Sequence, residues 1–416
     1  MNRALYSLIG YLLLPLAILR LGIKGLRNPN YARRLGQRLG FISRNTQPLI
    51  WLHCVSVGEF RAAIPLIDRL IDTYPNHRVF VSSTTPTGSD ALTEHYGDRI
   101  LHQYFPFDLP DVVNRYITRL NPKLCLLLET EIWPNLIDAL NQRQIPTLLI
   151  NARLSDRSLQ RYQRFAPTLA KQTLNKLALI AAQNQNSANR LIELGADPTR
   201  VEAVGNIKFD QQFNTNTTAS DELKKIVGDR TCLVCASTHK GEEVAILDAY
   251  LKLKSQLDIL LVMVPRHLER FTEVSKLISG KQLSLVKRSS NQPAADADVL
   301  LGDSMGEMMA YLQIAHMVFM GGSLNQTGGH NMLEPASLAK PILFGPNVFN
   351  FSEISSDLLA LGGAIQVSDA EALLLAVKQL LEQPKEAAQM GLNAQAFFKA
   401  NQGALDGVLA RIDQRL

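Results

Sequence analysis

The chain has 416 residues, of which 46% are hydrophobic and 19% charged, and its net charge is +5. This is the composition of a globular protein of two or three domains with a sizeable core, and it excludes a disordered chain or a small disulfide-stapled fold. The basic excess is local. No aspartate or glutamate precedes Glu59, whereas Arg3, Arg20, Lys24, Arg27, Arg33, Arg34, Arg38 and Arg44 do, so the rest of the chain is net acidic and no nucleic-acid partner is expected.

The first element is ALYSLIGYLLLPLAIL, residues 4–19, followed by the basic RLGIKGLRN. The run is shorter than the roughly 20 residues of a comfortable bilayer span. It continues into cations and not into a small-residue cleavage site, which argues against a removed signal peptide. Cations behind an apolar run favour the cytoplasmic side and are drawn to anionic lipid by about 1 kcal/mol each near the surface. A membrane anchor over residues 1–27 is expected, spanning the bilayer or lying in its interface, with an ordinary buried helix as the alternative.

From about residue 48, short apolar runs alternate with amphipathic stretches. LIWLHCVSV, RVFVSST, ILHQYFPF, KLCLLLE, PTLLIN and LALIAAQN read as strands, with EFRAAIPLIDRLIDTY and PDVVNRYITRL as helices between them. Continuous apolar strands separated by helices predict a parallel sheet covered on both faces. The polar segment KFDQQFNTNTTASDEL follows, and the alternation restarts with RTCLVCAST, LDILLVMVP, LSLVKRS, DVLLGD, HMVFMGGS and KPILFGP. From about residue 369 the pattern is helical. The predicted organisation is a first Rossmann-like domain over 28–207, a linker over 208–222, and a second Rossmann-like domain over 223–395. A C-terminal helix, 396–416, is expected to pack back on the first domain. The fold class is α/β, two doubly wound halves with a cleft between the carboxyl ends of their sheets.

Chemistry in such folds sits on the loops after strands, and polar and glycine residues gather at nearly every strand exit. No GxxxxGK[ST], no GxGxxG opening a helix, no HExxH and no GxSxG occurs, which weighs against a P-loop nucleotidase, a dinucleotide oxidoreductase, a zincin and an α/β-hydrolase. Cys54, Cys125, Cys232 and Cys235 lie in apolar, strand-like runs. The Cys232–Cys235 pair has no second pair or nearby histidine, so buried packing in a reducing compartment is expected and no metal site.

Three groups of residues stand out. Glu59, in VSVGEF, is either a helix-opening acid or a base. Glu129 and Glu131, in ETEIWPN, are expected to point the same way along an extended segment. In TGGHNMLEPASLAKPILFGP, Gly328 and Gly329 let backbone N–H groups approach a phosphate, and the residues after them open a helix whose N-terminus favours an anion. Glu334 could accept hydrogen bonds from both hydroxyls of a ribose. A plain Gly-rich turn is the other reading.

VSVGE, TPTG, ETEIWPN, NARLS, AAQN, KFD, STHKGEE, VPRHLERF, MGE, GGSLNQTGGHNMLEP and FGPNVFNF, in this order over nearly the whole chain, resemble the Kdo transferase family. Kdo is 3-deoxy-D-manno-octulosonic acid, which these enzymes attach to lipid A precursors in lipopolysaccharide biosynthesis. The resemblance implies the GT-B glycosyltransferase fold, CMP-Kdo as donor, inversion at the anomeric centre, and no cofactor or metal. It makes Glu59 the general base, with Gly58 giving the acceptor room, and places Glu129 in the transition-state environment. Lys208 would meet the negative charge of the donor. Pro265 and Arg266, then Met305, Gly306 and Glu307, then Asn331, Met332, Leu333 and Glu334, would contact CMP. Met305 and Met332 would be apolar walls for the base, and His267 and His330 could donate to phosphate.

The implied partners are CMP-Kdo, a lipid A precursor (lipid IVA) and inner-membrane lipids on the cytoplasmic side, with the basic residues before Glu59 facing an acidic, phosphorylated acceptor. The alternatives are a GT-B transferase using a UDP-sugar on another membrane lipid, and a non-catalytic, membrane-tethered nucleotide-binding module.

Overall fold

In the computed structural model, which describes residues 1–31, 33–213 and 217–416, the apolar runs form the strands of two parallel sheets. The first sheet holds β1 (Leu49–His53), β2 (Arg78–Ser83), β3 (Leu101–Tyr104), β4 (Leu124–Leu128), β5 (Thr147–Ala152), β6 (Leu179–Ala182) and β7 (Val201–Ala203). Its order is β3-β2-β1-β4-β5-β6-β7. The second holds β8 (Cys232–Thr238), β9 (Leu260–Pro265), β10 (Leu285–Lys287), β11 (Val299–Leu301), β12 (Met317–Met320), β13 (Ile342–Phe344) and β14 (Ala364–Gln366), in the order β10-β11-β9-β8-β12-β13-β14. Strand side chains alternate, so Leu49 and Trp51 enter one core of the first sheet while Ile50 and Leu52 enter the other. Both faces are covered, which is why β1 reads as a continuous apolar run.

The helix after β1, Val57–Thr73, buries Phe60, Ala63, Leu66, Ile67 and Leu70 at helical spacing. Pro65 within it has no N–H, and the carbonyl of Arg61 accepts from Gln211 Nε2 at 3.3 Å. Chain contacts define two compact units, Met1–Gln211 with Asn401–Leu416, and Gln212–Ala400. The helix Ala404–Asp413 belongs to the first: Leu405, Val408 and Ile412 share a core with Leu66, and the Asp210 carboxylate accepts from the Gly403 and Leu405 N–H groups at 2.6 and 2.7 Å.

Two strands are absent from the sequence reading, β7 and β14. Both are three-residue edge strands, and partial exposure removes the apolar run that marks the others. The expected linker 208–222 is largely regular: Ile207–Asp210 is a 3-10 turn and Thr217–Val227 an α-helix, while 214–216 lie outside the described residues.

The amino-terminal element is one helix, Arg3–Arg27, longer than its apolar run. Residues Arg3–Leu26, within which an 18-residue stretch has a mean hydropathy of 1.8, are long and apolar enough to cross a membrane. One side is fastened to the first unit by Ser7 Oγ to Asn135 Oδ1 at 3.0 Å, Tyr11 to Asp111 at 2.5 Å, and an Arg3–Asp138 ion pair. The chain leaving the helix returns to the same unit, where Gln37 accepts from the Tyr104 N–H and Arg38 donates to the Thr84 carbonyl. Leu5, Leu8, Leu12, Leu16, Leu19, Ile23 and Leu26 stay exposed.

In the first sheet the chain order reverses beside the first strand, at β1/β4, and in the second it does so at β8/β12, with β11 lying between β9 and the edge strand β10. Open α/β sheets bind ligands outside the carboxyl ends of strands at such points.

Candidate active site

Glu59 and Glu129 follow the two strands of the first switch point. Ser56 caps the helix that carries Glu59, its Oγ accepting from the Glu59 N–H at 3.4 Å, and Glu59 Oε2 accepts from the Val55 N–H at 2.8 Å. The carboxylate is thus folded back over the strand exit. Burial first, then the negative charge of Glu129, push it up to about 8, with Glu131 adding to the rise. A Cβ at Gly58 would meet nothing nearer than Ser56 Oγ at 3.8 Å, so the protein's own packing does not demand the glycine.

The expected extended segment at Glu129 and Glu131 is not present. β4 ends at Leu128, and Glu129 turns into the left-handed region at φ 61°. The two carboxylates therefore part. Glu129 Oε1 lies 3.0 Å from Lys208 Nζ, a charge contact outside hydrogen-bonding angles. Glu131 accepts from Trp133 Nε1 at 2.6 Å and stands 3.6 Å from His53 Nε2. All three carboxylates act on the buried Cys54 thiol, which marks them as one cluster. Lys208 is held in place by Asn206, which accepts its N–H at 3.0 Å, and by buried Asn151, which accepts the Ile207 N–H at 3.1 Å.

Sequence reasoning missed His53 and Asn151. His53 is wholly buried, stacked on Phe105 at 3.7 Å with Nδ1 3.1 Å from the Ser82 carbonyl. Its signal, a polar residue inside an apolar strand, is present in the sequence. Asn151 sits at φ 51°, where asparagine is favoured over bulkier residues.

In the second unit, buried Glu242 organises the switch point. It accepts N–H groups from His239 and from Gly322, Ser323 and Leu324, at 2.7–3.0 Å, tying the loop after β8 to the loop after β12. His239 and His330 are joined Nε2 to Nε2 at 2.7 Å, and the His267 ring lies 5.3 Å from His239. Burial, with the neighbouring His239 and Arg266, pulls His330 down to about 4. The pair is therefore neutral at pH 7, one ring donating to the other. His267 and His330 were expected near phosphate, whereas His239 and Glu242 were present in the STHKGEE motif without a role.

Of the residues expected at CMP, Pro265 ends β9 and Arg266 follows it, its N–H on the Thr238 carbonyl at 3.0 Å. Met305 is 54% exposed and Gly306 takes φ 80°. Glu307 accepts from Arg288 at 3.0 and 3.2 Å, and Arg288 also pairs with Glu222 at 2.5 Å. Asn331 makes a local turn, accepting the Leu333 N–H at 3.2 Å and donating to Glu334 at 3.3 Å. Met332 and Leu333 are both 0% exposed, so they pack the core behind this loop and neither walls an open pocket.

The glycines also differ from expectation. Gly328 and Gly329 both donate to the Gly322 carbonyl, at 3.0 and 2.7 Å, so their N–H groups do not face a phosphate. Their φ angles of 100° and 77° are what require glycine. The helix that follows, Leu333–Ser337, is only five residues long. A cavity of about 640 Å³ opens at the amino ends of the second sheet, beside Thr231, Met317 and Pro341, away from these loops. Its Lys340 already donates to the Gln313 and Ala315 carbonyls.

Residues 33–211 match the family model of 3-deoxy-D-manno-octulosonic-acid transferase (kdotransferase). The chain is 38% identical to the 3-deoxy-D-manno-octulosonic acid transferase of Haemophilus influenzae, over 98% of this chain and 97% of that one. It is 32% identical to the transferase of the same description from Bordetella pertussis, over 88% and 87%. Among solved structures, UDP-GlcNAc 2-epimerase from Neisseria meningitidis aligns with a TM-score of 0.59 at 16% identity, over 87% of this chain and 100% of that one. A glycosyltransferase from Rickettsia africae aligns with a TM-score of 0.56 at 14% identity, over 89% and 98%. These likenesses speak for the two-sheet GT-B architecture. The chain belongs to the 3-deoxy-D-manno-octulosonic acid transferase family, glycosyltransferases of lipopolysaccharide core biosynthesis.

Proposed function

We propose that the protein transfers Kdo from CMP-Kdo to a lipid A precursor with inversion, and that Glu59 is the general base. The observation that carries this reading is the Glu59 carboxylate, half-buried at the β1/β4 switch point beside Glu129 and raised to about 8, near enough to neutrality to exchange a proton at working pH. The acceptor hydroxyl oxygen forms a bond to the anomeric carbon as the bond from that carbon to the CMP phosphate breaks. The hydroxyl proton passes to Glu59, and CMP leaves with the bonding pair and an added negative charge. Lys208, steadied by Glu129, is the cation for the sugar acid, and Arg266 for the phosphate. Gly58, free of packing demands, leaves space for the acceptor.

The amino-terminal helix lies in the membrane interface in this reading. Its first three turns and the chain after it are both held by the same unit, so its two ends do not reach opposite sides of a bilayer. The exposed leucine row is then the inserted face. The test is a product mass. Incubation with lipid A precursor and CMP-Kdo adds one or more Kdo masses. If a UDP-sugar is transferred and CMP-Kdo is not, the donor assignment fails.

A further inference from the structure

The first unit holds a second feature beside the Glu59 cluster. The loop after β4 and the helices Asp156–Phe165 and Pro167–Leu174 enclose a cavity of about 380 Å³. Its wall is largely apolar, with Trp133, Tyr162, Ala166 and Leu169. Glu131, the carboxylate that adds to the field on Glu59, and Tyr6 of the amino-terminal helix are also in the lining. An adjoining cavity of about 400 Å³ shares Tyr162 and Ala166 and is bordered by Arg161 and Phe165.

Beside these cavities runs a row of cations. Arg157, Arg161 and Arg164 stand at i, i+4 and i+7 of one helix, so they share a face. All three are exposed, and none makes an ion pair with a described residue. The acid nearest in sequence, Asp156, is taken by Arg190 at 2.6 and 2.8 Å. Arg157 lies in the first turn, where the helix dipole disfavours a cation. Helix stability therefore gives no reason for it. Phe165, at the end of the row, is 62% exposed and lies under the Arg164 guanidinium at 5.3 Å. The cations expected at the amino terminus are partly engaged already: Arg3 pairs with Asp138, and Arg38 is buried as a donor to the Thr84 carbonyl.

We propose that this region is the acceptor-lipid subsite: one acyl chain of a phosphorylated, acylated glycolipid fills the apolar cavity behind Trp133 and Tyr162, and its phosphate lies on the Arg157–Arg161–Arg164 row. The inference rests on the reading of Glu59 as the base. Guanidinium groups bind phosphate bidentately, and three on one helix face suit a doubly charged headgroup. Tyr6 in the wall links the cavity to the helix that contacts the membrane, the side from which a lipid enters. Glu131 links it to the carboxylate cluster, so a sugar hydroxyl between phosphate and Glu131 is brought toward Glu59.

The test is equilibrium binding of the full chain to the acceptor in mixed micelles, without donor. Combining Arg157→Ala with Arg161→Ala is expected to weaken binding of the phosphorylated acceptor tenfold or more, and of its dephosphorylated form less than threefold. Ala166→Leu, which shrinks both cavities, is expected to weaken the acylated acceptor and leave a deacylated, soluble one unaffected. Stabilisation by CMP checks that each variant is folded. Equal losses with and without phosphate would overturn the proposal. So would parallel loss of binding to phosphatidylglycerol vesicles lacking acceptor, which would make the row a general membrane patch. Because no turnover is read, a wrong assignment of Glu59 shows separately, as transfer surviving in Glu59→Gln.

Discussion

The sequence offered Glu59 as a helix-opening acid or as a base, and in the proposed reading the two are compatible. Glu59 closes a helix cap, through the Ser56 and Val55 contacts, and it stands in a field of carboxylates that holds its proton. Its folded pKa, about 8, lies above the ordinary 4.5. Only the ionised form accepts a proton, so kcat/KM is expected to rise about tenfold per pH unit below 8 and level off above it. Lys208→Ala removes the cation beside Glu129, strengthens the negative field on Glu59 and moves that rise to higher pH. A profile flat from pH 6 to 9 would contradict this. The same shift has a stability sign: between 4.5 and 8 the unfolded chain has released a proton that the folded one keeps, so stability falls as pH rises through that window. Glu59→Gln is therefore expected to melt above the wild type at pH 9 and to lose most of that advantage at pH 5.

At the scale of elements, the strand-to-loop exits were legible because buried parallel strands write continuous apolar runs, and Glu59, Glu129 and Arg266 follow such runs directly. The loop interiors were less so. Gly328 and Gly329 marked a special turn correctly, but which carbonyl takes their N–H groups is a tertiary fact, as is the burial of Met332. The sharpest case is Glu242, an acid at the start of a helix that joins two loops far apart in sequence. Replacing its carboxylate by an amide in Glu242→Gln leaves an amide nitrogen facing backbone donors. Two N–H groups, one buried and one half-buried, then lose their acceptor, the buried one at roughly 1–3 kcal/mol. The expected result is a lower denaturation midpoint together with weaker protection by CMP. An unchanged midpoint would mean that the loops hold their shape without it.

For the whole molecule, two parallel sheets, each with a switch point beside its first strand, place candidate residues of each unit at strand exits, and this much followed from the alternation of runs. The family followed from many short motifs in order, and the identity over 98% of the chain agrees with it. What the sequence left open was the posture of the amino-terminal helix, because an apolar run specifies length and not direction. In the proposed reading the contacts of Ser7, Tyr11 and Arg38 with one unit favour a helix lying in the interface. Labels placed singly at Leu8, Leu16 and Ile23 are expected to report one shallow depth in depth-dependent quenching on bilayers. A profile deepest at the middle position and shallow at both ends would indicate a spanning helix instead.

The most direct test of the account is single-turnover transfer from CMP-Kdo to the lipid acceptor by Glu59→Gln beside the wild type, with CMP binding measured on both. A positioned base contributes about 10²–10⁴-fold. The account predicts a loss of that size with CMP affinity preserved. Transfer within tenfold of the wild type would contradict it and hand the proton to another group.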